Sequence, residues 1–310
     1  MNSSTEQTLE TIEAMRSQED NHGYSVTDYL SELPRIATTA LDTPVDASCR
    51  FVMAKWCNEI ADFCQYKRET VAISMNCLDR FMSSPTGQEI LLDRNMYQLA
   101  AMTALYSSVK IHEQEAMDPN LVSTLSRGVH TAAAVEAMEY KMLQAIQWRV
   151  NPPTAMSFVR MIINDLVPDH LLSSYEKETI LDITRFQIEL TVNEYDLCSY
   201  NGSSIALACM LNAIDSCTDD DMFFTNFETT MGKTLLVDDK EIQELRIAIY
   251  ELMNGSDDNS LMCQKLNNSK NSSSSKMDTS SSSSSSCITT ESKSNSIHTS
   301  PRTVATSCDC

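Results

Sequence analysis

The sequence predicts an all-α fold of two successive five-helix units followed by a disordered Ser-rich tail, on three observations. Chain breakers are scarce, with 6 Gly and 8 Pro among 310 residues, while the straight-chain apolar residue Met occurs 18 times. Apolar residues recur at spacings of three and four in segment after segment, the period of an amphipathic helix. The first series of helices ends at Pro152-Pro153, after which the rhythm restarts. Consecutive prolines restrict themselves and the residue before them, as expected at a junction between units.

The elements follow in order. Residues 1–45 read as a polar leader in which Tyr24–Leu33 places Tyr29, Leu30 and Leu33 on one helical face before Pro34 disfavours continuation. This is either a surface helix or one that docks on a partner. A first unit spans 46–151. Its first helix carries Val52, Trp56, Ile60 and Phe63 as one apolar stripe. Thr70–Met82 forms the next helix. Leu99, Met102, Tyr106 and Val109 mark a third, Pro119–Ser126 a short fourth, and Val135, Met138, Met142 and Ile146 a fifth. Pro85-Thr86-Gly87, Asp118-Pro119 and Gly128 separate the pieces. A second unit spans 152–255, with helices expected at Thr154–Leu166, Glu178–Leu197, Ser203–Ile214, Phe223–Met231 and Asp239–Met253. Residues 256–310 hold a run of seven serines, Ser280–Ser286, with little to bury, and are expected to be disordered.

Charge and cysteine content narrow the function classes. A formal net charge of −20 repels phosphate backbones and anionic lipid, so nucleic-acid and membrane partners are not expected. The eleven cysteines show no CxxC spacing and no secretory leader precedes them, so Cys57, Cys64 and Cys77 read as reduced core residues. The uncharged apolar stretch Leu99–Val109 is far short of the roughly 20 residues a membrane span needs. Nuclear and cytoplasmic localisation is the expectation.

The search for catalytic chemistry returns nothing. There is no Gly-rich phosphate loop and no GxSxG elbow. The histidines His22, His112, His130, His170 and His298 are scattered, and Glu19–His22 alone has the ExxH spacing of a helical di-metal site. No catalytic residue, metal or cofactor is expected, which favours an interaction module over an enzyme. Lys110, in Ser-Ser-Val-Lys-Ile-His-Glu, and Glu139, one residue after Met138, each read by position alone as ordinary solvated charges.

In ordered motifs the chain resembles the cyclin family. Arg50-Phe51-Val52-Met53-Ala54-Lys55-Trp56 resembles the opening of the family's first box, and Cys77-Leu78-Asp79-Arg80-Phe81-Met82 its next helix. Tyr97-Gln98-Leu99-Ala100-Ala101 and Ser108-Val109-Lys110-Ile111-His112-Glu113 resemble its central helix. Met138-Glu139 with Leu143, Ile146 and Trp148, then Pro153-Thr154 and Phe158, resembles its last helix and exit. The resemblance is close over Tyr24–Leu166 and weaker in the second box.

It implies two tandem cyclin boxes and a regulatory subunit that binds and activates a cyclin-dependent Ser/Thr kinase in cell-cycle control. It also implies roles for particular residues. Arg50 and Asp79 would form an internal salt bridge. Lys110 and Glu139 would reach the kinase, with Ile111, Trp148 and Val150 as apolar neighbours. Cys49, Val52, Met53, Trp56, Glu59 and Gln98 would form a patch that docks Arg-x-Leu substrate or inhibitor peptides, although Cys49 is small for its position and Lys55 reverses a common acidic charge. The alternatives are a transcriptional cyclin or a cyclin-fold general transcription factor. The latter usually adds a zinc ribbon and a basic face, neither of which this sequence offers. Ser300-Pro301 is a minimal proline-directed site that would make the tail a turnover region, and Cys308-Asp309-Cys310 is similar to a two-cysteine prenylation ending.

Overall fold

A computed structural model describes residues 3–31, 43–218 and 220–255. Among them are twelve α-helices and no β-strand. The Ser-rich tail, Leu33, Pro34 and His298 lie outside the described residues.

Helix α1 (Ser3–Glu19) belongs to the leader. The first unit comprises α2 (Ala47–Cys64), α3 (Arg68–Met82), the short α4 (Pro85–Gln88), α5 (Arg94–His112), α6 (Pro119–Leu125) and α7 (Ala132–Ala145). The second comprises α8 (Ala155–Met161), continued by a π turn over Ile162–Leu166, then α9 (Ser174–Asn193), α10 (Gly202–Cys217), α11 (Asp221–Leu235) and α12 (Asp239–Gly255). The expected five-helix rhythm is present in both halves. The expected breaker at Pro85-Thr86-Gly87 is itself a helical turn, because Ser84 caps it and accepts from the Gly87 N–H. A Cβ at Gly87 would collide with the Phe81 carbonyl oxygen, so glycine is needed for this close approach.

Capping explains most helix starts, since an oxygen-bearing side chain satisfies N–H groups that lack an intrahelical partner. Asp46, Asp93, Asp118, Thr131 and Thr154 accept from the first turns of α2, α5, α6, α7 and α8. Ser173 and Glu176 form a reciprocal capping box at α9. Lys67, ahead of α3, contributes no side-chain cap; instead Glu113, just past α5, accepts from the Lys67 N–H at 2.9 Å and from the Thr70 hydroxyl.

Two cores result. The first gathers the inner faces of α2, α3, α5 and α7 around α5, in which every residue from Tyr97 to Val109 is buried. The second is centred on α10, whose Ala206–Leu211 are wholly buried. Ile12 of α1 belongs to the second core, so the leader crosses over to the far unit. Glu19 fixes that crossing. Its carboxylate accepts from the Ser203 N–H at 3.0 Å, at the start of α10, and from Arg16 Nη1 at 3.0 Å, while Arg16 also donates to the Ser203 hydroxyl at 2.8 Å. Glu19 is thereby committed to capping.

Two leader and stripe expectations need correction. Tyr24–Ser31 is not helical: turns at Tyr24 and at Tyr29–Ser31 flank four residues without regular structure. Asp28 there accepts from the Ser31 N–H and from the Tyr195 hydroxyl, and the Leu30 N–H donates to Tyr195, so these local groups are engaged outside a helical ladder. In α2 the inward stripe is Cys49, Met53, Trp56 and Ile60, whereas Val52 is half-buried and Phe63 is 60% exposed.

Arg50 and Asp79 lie where leader, first unit and second unit meet. Arg50 Nε and Nη2 donate to the two Asp79 oxygens at 2.9 and 2.8 Å, a bidentate pair with both side chains 2% exposed. Arg50 Nη1 donates to the Val192 carbonyl of α9, and the Tyr29 hydroxyl donates to Asp79 Oδ1, each at 2.9 Å. Losing one member leaves a buried charge uncompensated. Arg50→Ala or Asp79→Ala should therefore lower the unfolding free energy by about 3–5 kcal/mol in urea titrations. A loss under about 1 kcal/mol, the scale of an exposed pair, contradicts this.

A second latch closes the Pro-Pro junction. Glu69 accepts from Thr154 and Ser157 at the start of α8 and pairs with Arg160 at 2.7 Å. Desolvation alone would raise its carboxyl pKa; the hydrogen bonds from Arg160 and Thr154 outweigh that and hold it below the ordinary 4.5. A depressed folded-state pKa means stability that is present above the unfolded value and lost as pH falls through the folded one. Thermal melts at stepped pH should show the wild type losing stability below about 4.5 more steeply than Glu69→Gln. Parallel acid limbs would show that Glu69 carries no such linkage.

Candidate functional site

The candidate site forms where the end of α5 lies against α7. Lys110 is in the last turn of α5 and Glu139 in the middle of α7; helix packing brings them together from 29 residues apart. Lys110 Nζ donates to Glu139 Oε1 and Oε2 at 3.2 and 3.1 Å, and the Ser107 hydroxyl donates to Oε1 at 3.1 Å. The ammonium also lies 5.4 Å from the Tyr106 ring centroid.

The two side chains differ in exposure, 49% for Lys110 and 13% for Glu139. Partial burial by itself would lower the Lys110 pKa, but the hydrogen bonds and charge of Glu139 outweigh it and raise it, so the ammonium stays charged. An ammonium carries three donors. A half-exposed one, steered by a half-sequestered carboxylate, can present a donor to carbonyl groups of an incoming chain.

Apolar groups flank this pair. Ile111 is 45% exposed and Trp148 61%. Val150 is partly buried against the first core. A shallow cleft runs between α5 and α7, lined by Ala104, Ile111, Met142, Leu143, Ile146 and Val150. Tyr140, one residue after Glu139, is 57% exposed. Sequence reading missed it; its position beside Glu139 on a helix whose buried stripe is Val135, Met138 and Met142 could have flagged it. Trp148 is held out by an unusual turn. Gln147 and Trp148 both take left-handed φ values, 56° and 59°, and the Trp148 N–H donates back to the Leu143 carbonyl at 2.8 Å.

The expected peptide-docking patch is not displayed as a surface. Cys49, Met53 and Trp56 are 1%, 0% and 3% exposed and lie in the first core. Gln98 is also buried, its Oε1 3.2 Å from His130 Nε2. Only Glu59 is exposed and Val52 half-exposed. The physical reason is that Cys49, Met53 and Trp56 lie on the face of α2 that packs into the first core, which leaves Glu59 and part of Val52 outside.

A cleft of about 360 Å³ lies between the two units, lined in part by Met75, Ile188, Val192 and Ile205. The arginines at its rim are paired with acids: Arg68 with Asp62, Arg160 with Glu69 and Arg185 with Asp182. No group of His, Cys, Asp and Glu suited to a metal ion occurs among the described residues, and no described helix is long and apolar enough to cross a membrane.

Comparison with known proteins bears on this geometry. Residues 10–151 match the family model of the cyclin N-terminal domain and residues 153–286 that of the cyclin C-terminal domain. Among curated relatives, "Cyclin-B1-1" of Oryza sativa subsp. japonica is 24% identical over 67% of this chain and 47% of its own length. "Cyclin-A2-1" of Arabidopsis thaliana is 22% identical over 64% of this chain and 45% of its own. The chain thus spans about half the length of these relatives. A viral cyclin from herpesvirus saimiri shares the fold at a TM-score of 0.57 and 14% identity, over 79% of this chain and 97% of that one. Two matched domains, consecutive and meeting at the Pro-Pro junction, cover both helical units, and the chain belongs to the cyclin family.

Proposed function

We propose that the chain is a regulatory subunit, without chemistry of its own, that binds a cyclin-dependent Ser/Thr kinase and activates it in cell-cycle control. The observation that carries this reading is the Lys110–Glu139 pair at the rim of an apolar ledge made by Ile111, Trp148 and Val150. Kinase activity requires a glutamate on the kinase's mobile helix to pair with its ATP-binding lysine. A surface that holds only the helix-in form shifts the population toward activity. The ledge has parts such a surface needs: a half-exposed charge that can reach backbone groups, an exposed aromatic anchor at Trp148 and an exposed apolar side chain at Ile111. Relatives named as mitotic and A- and B-type cyclins support the cell-cycle assignment over a transcriptional one.

Truncating one member of such a contact typically costs about 2–5 kcal/mol of binding. Lys110→Ala and Glu139→Ala should therefore weaken capture of a cyclin-dependent kinase by a factor of tens or more, with thermal melts unchanged. Undiminished capture by both variants removes the ledge as the kinase-binding surface.

A further inference from the structure

The leader reaches the ledge from behind, at Tyr24. Two guanidinium groups approach its ring, with the Arg80 Cζ 4.7 Å and the Arg149 Cζ 5.6 Å from the centroid. Arg80 is 5% exposed and joins the leader to the turn after α7: its Nε donates to the Gly23 carbonyl at 3.0 Å and its Nη1 to the Arg149 carbonyl at 2.8 Å. Arg149 Nη1 in turn donates to Asn21 Oδ1. A Cβ on Gly23 would overlap the Arg149 guanidinium, which would then have to swing away from its place beside Tyr24 and Asn21.

The segment held in this way displays Trp148. Backbone carbonyls around it are taken by side chains from three different helices. Arg149 O accepts from Arg80 of α3, Val150 O is 3.1 Å from His112 Nε2 of α5, and Asn151 O accepts from Gln18 of α1 at 2.9 Å. Two successive non-glycine residues in the left-handed region are strained and persist only where surrounding contacts over-determine them. The Trp148 ring, mostly in solvent, contributes little to its own restraint. The restraint comes from the backbone behind it, and hence from Arg80, His112 and Gln18, with Tyr24 lying against the Arg80 and Arg149 guanidinium groups.

We infer that Gly23 and Tyr24 form a positioning clamp: the leader, held against the guanidinium groups of Arg80 and Arg149, sets the left-handed turn that presents Trp148. This rests on the reading of the ledge as the kinase-binding surface, and it gives the leader control over partner affinity through the 146–151 turn. Tyr24 is in this sense a positioning residue for the apolar anchor. The ring alone does this work, since contact with guanidinium does not need the hydroxyl.

The test uses the two tryptophans of the full chain as reporters. Incorporation of 5-fluorotryptophan gives two fluorine resonances, assigned by Trp148→Phe, with buried Trp56 as an internal control for the fold. In Tyr24→Ala and Gly23→Ala the Trp148 resonance is expected to shift and narrow while that of Trp56 stays in place; Tyr24→Phe is expected to match the wild type. Capture of a cyclin-dependent kinase by Tyr24→Ala is expected to fall several-fold. An unmoved Trp148 resonance in both alanine variants overturns the clamp. So does movement of both resonances together in both variants, which would mean that the leader holds the fold at large. The fluorine spectra need no kinase, so they judge the clamp independently. Unaltered kinase capture by Trp148→Ala would count against the ledge instead.

Discussion

The Arg50–Asp79 pair is the constraint on which the rest of the architecture depends. It is bidentate and almost fully removed from water, and its remaining polar capacity is directed outward, one guanidinium nitrogen to the α9 backbone and one carboxylate oxygen to the Tyr29 hydroxyl. A buried ion pair need not raise net stability relative to an apolar replacement, but it is intolerant of misalignment. Its use here is geometric: α2, α3, the leader and the second unit cannot all satisfy this pair in any other relative position. Glu69 at the Pro-Pro junction and Glu19 at the start of α10 repeat the device, each placing a carboxylate from one part of the chain on N–H or hydroxyl groups of another.

This rigidity matters because the candidate site is assembled from pieces that share no local sequence. Lys110, Glu139 and Trp148 come from the end of α5, the middle of α7 and the turn beyond it. A partner helix could be recognised only if the relative setting of these pieces is fixed before encounter, since ordering them on binding would cost affinity. The packing of α5 at the centre of the first core supplies that setting for Lys110. The leader, through Arg80 and Arg149, supplies it for Trp148. The leader thus touches both units and approaches the ledge, although most of its surface is polar.

Much of the fold was legible in the sequence because it rests on helical period and on breakers. The stripes Leu99–Val109 and Val135–Ile146 are buried as their spacing implies, and the Pro-Pro pair falls between the two cores. Long-range polar contacts escaped that reading. The leader's helix is α1, whose sole wholly buried apolar side chain is Ile12 and whose anchors Arg16 and Glu19 find their partner at Ser203, far along the chain. No local pattern encodes such a partner. The stripe in α2 was misplaced by a fraction of a turn, because Val52 and Phe63 fit the period as well as Cys49 and Met53 do. The same inward face holds Cys49, Met53 and Trp56 of the expected docking patch, and Gln98 is buried with them. For the ledge, spacing gave only two ordinary charges; resemblance to the family singled out Lys110 and Glu139, and the coordinates put them within 3.2 Å of each other. Tyr140 and the Tyr24 clamp needed the three-dimensional arrangement.

The central claim is that this chain switches on a kinase by gripping its mobile helix. Its most direct test is to titrate the purified full chain into an isolated, inactive cyclin-dependent kinase catalytic subunit and follow phosphoryl transfer to a peptide. The account predicts that activity rises with added chain and levels off at one chain per kinase, alongside a complex of matching mass. A kinase that stays inactive at saturating chain, across the cyclin-dependent kinases of the source cell, would contradict it.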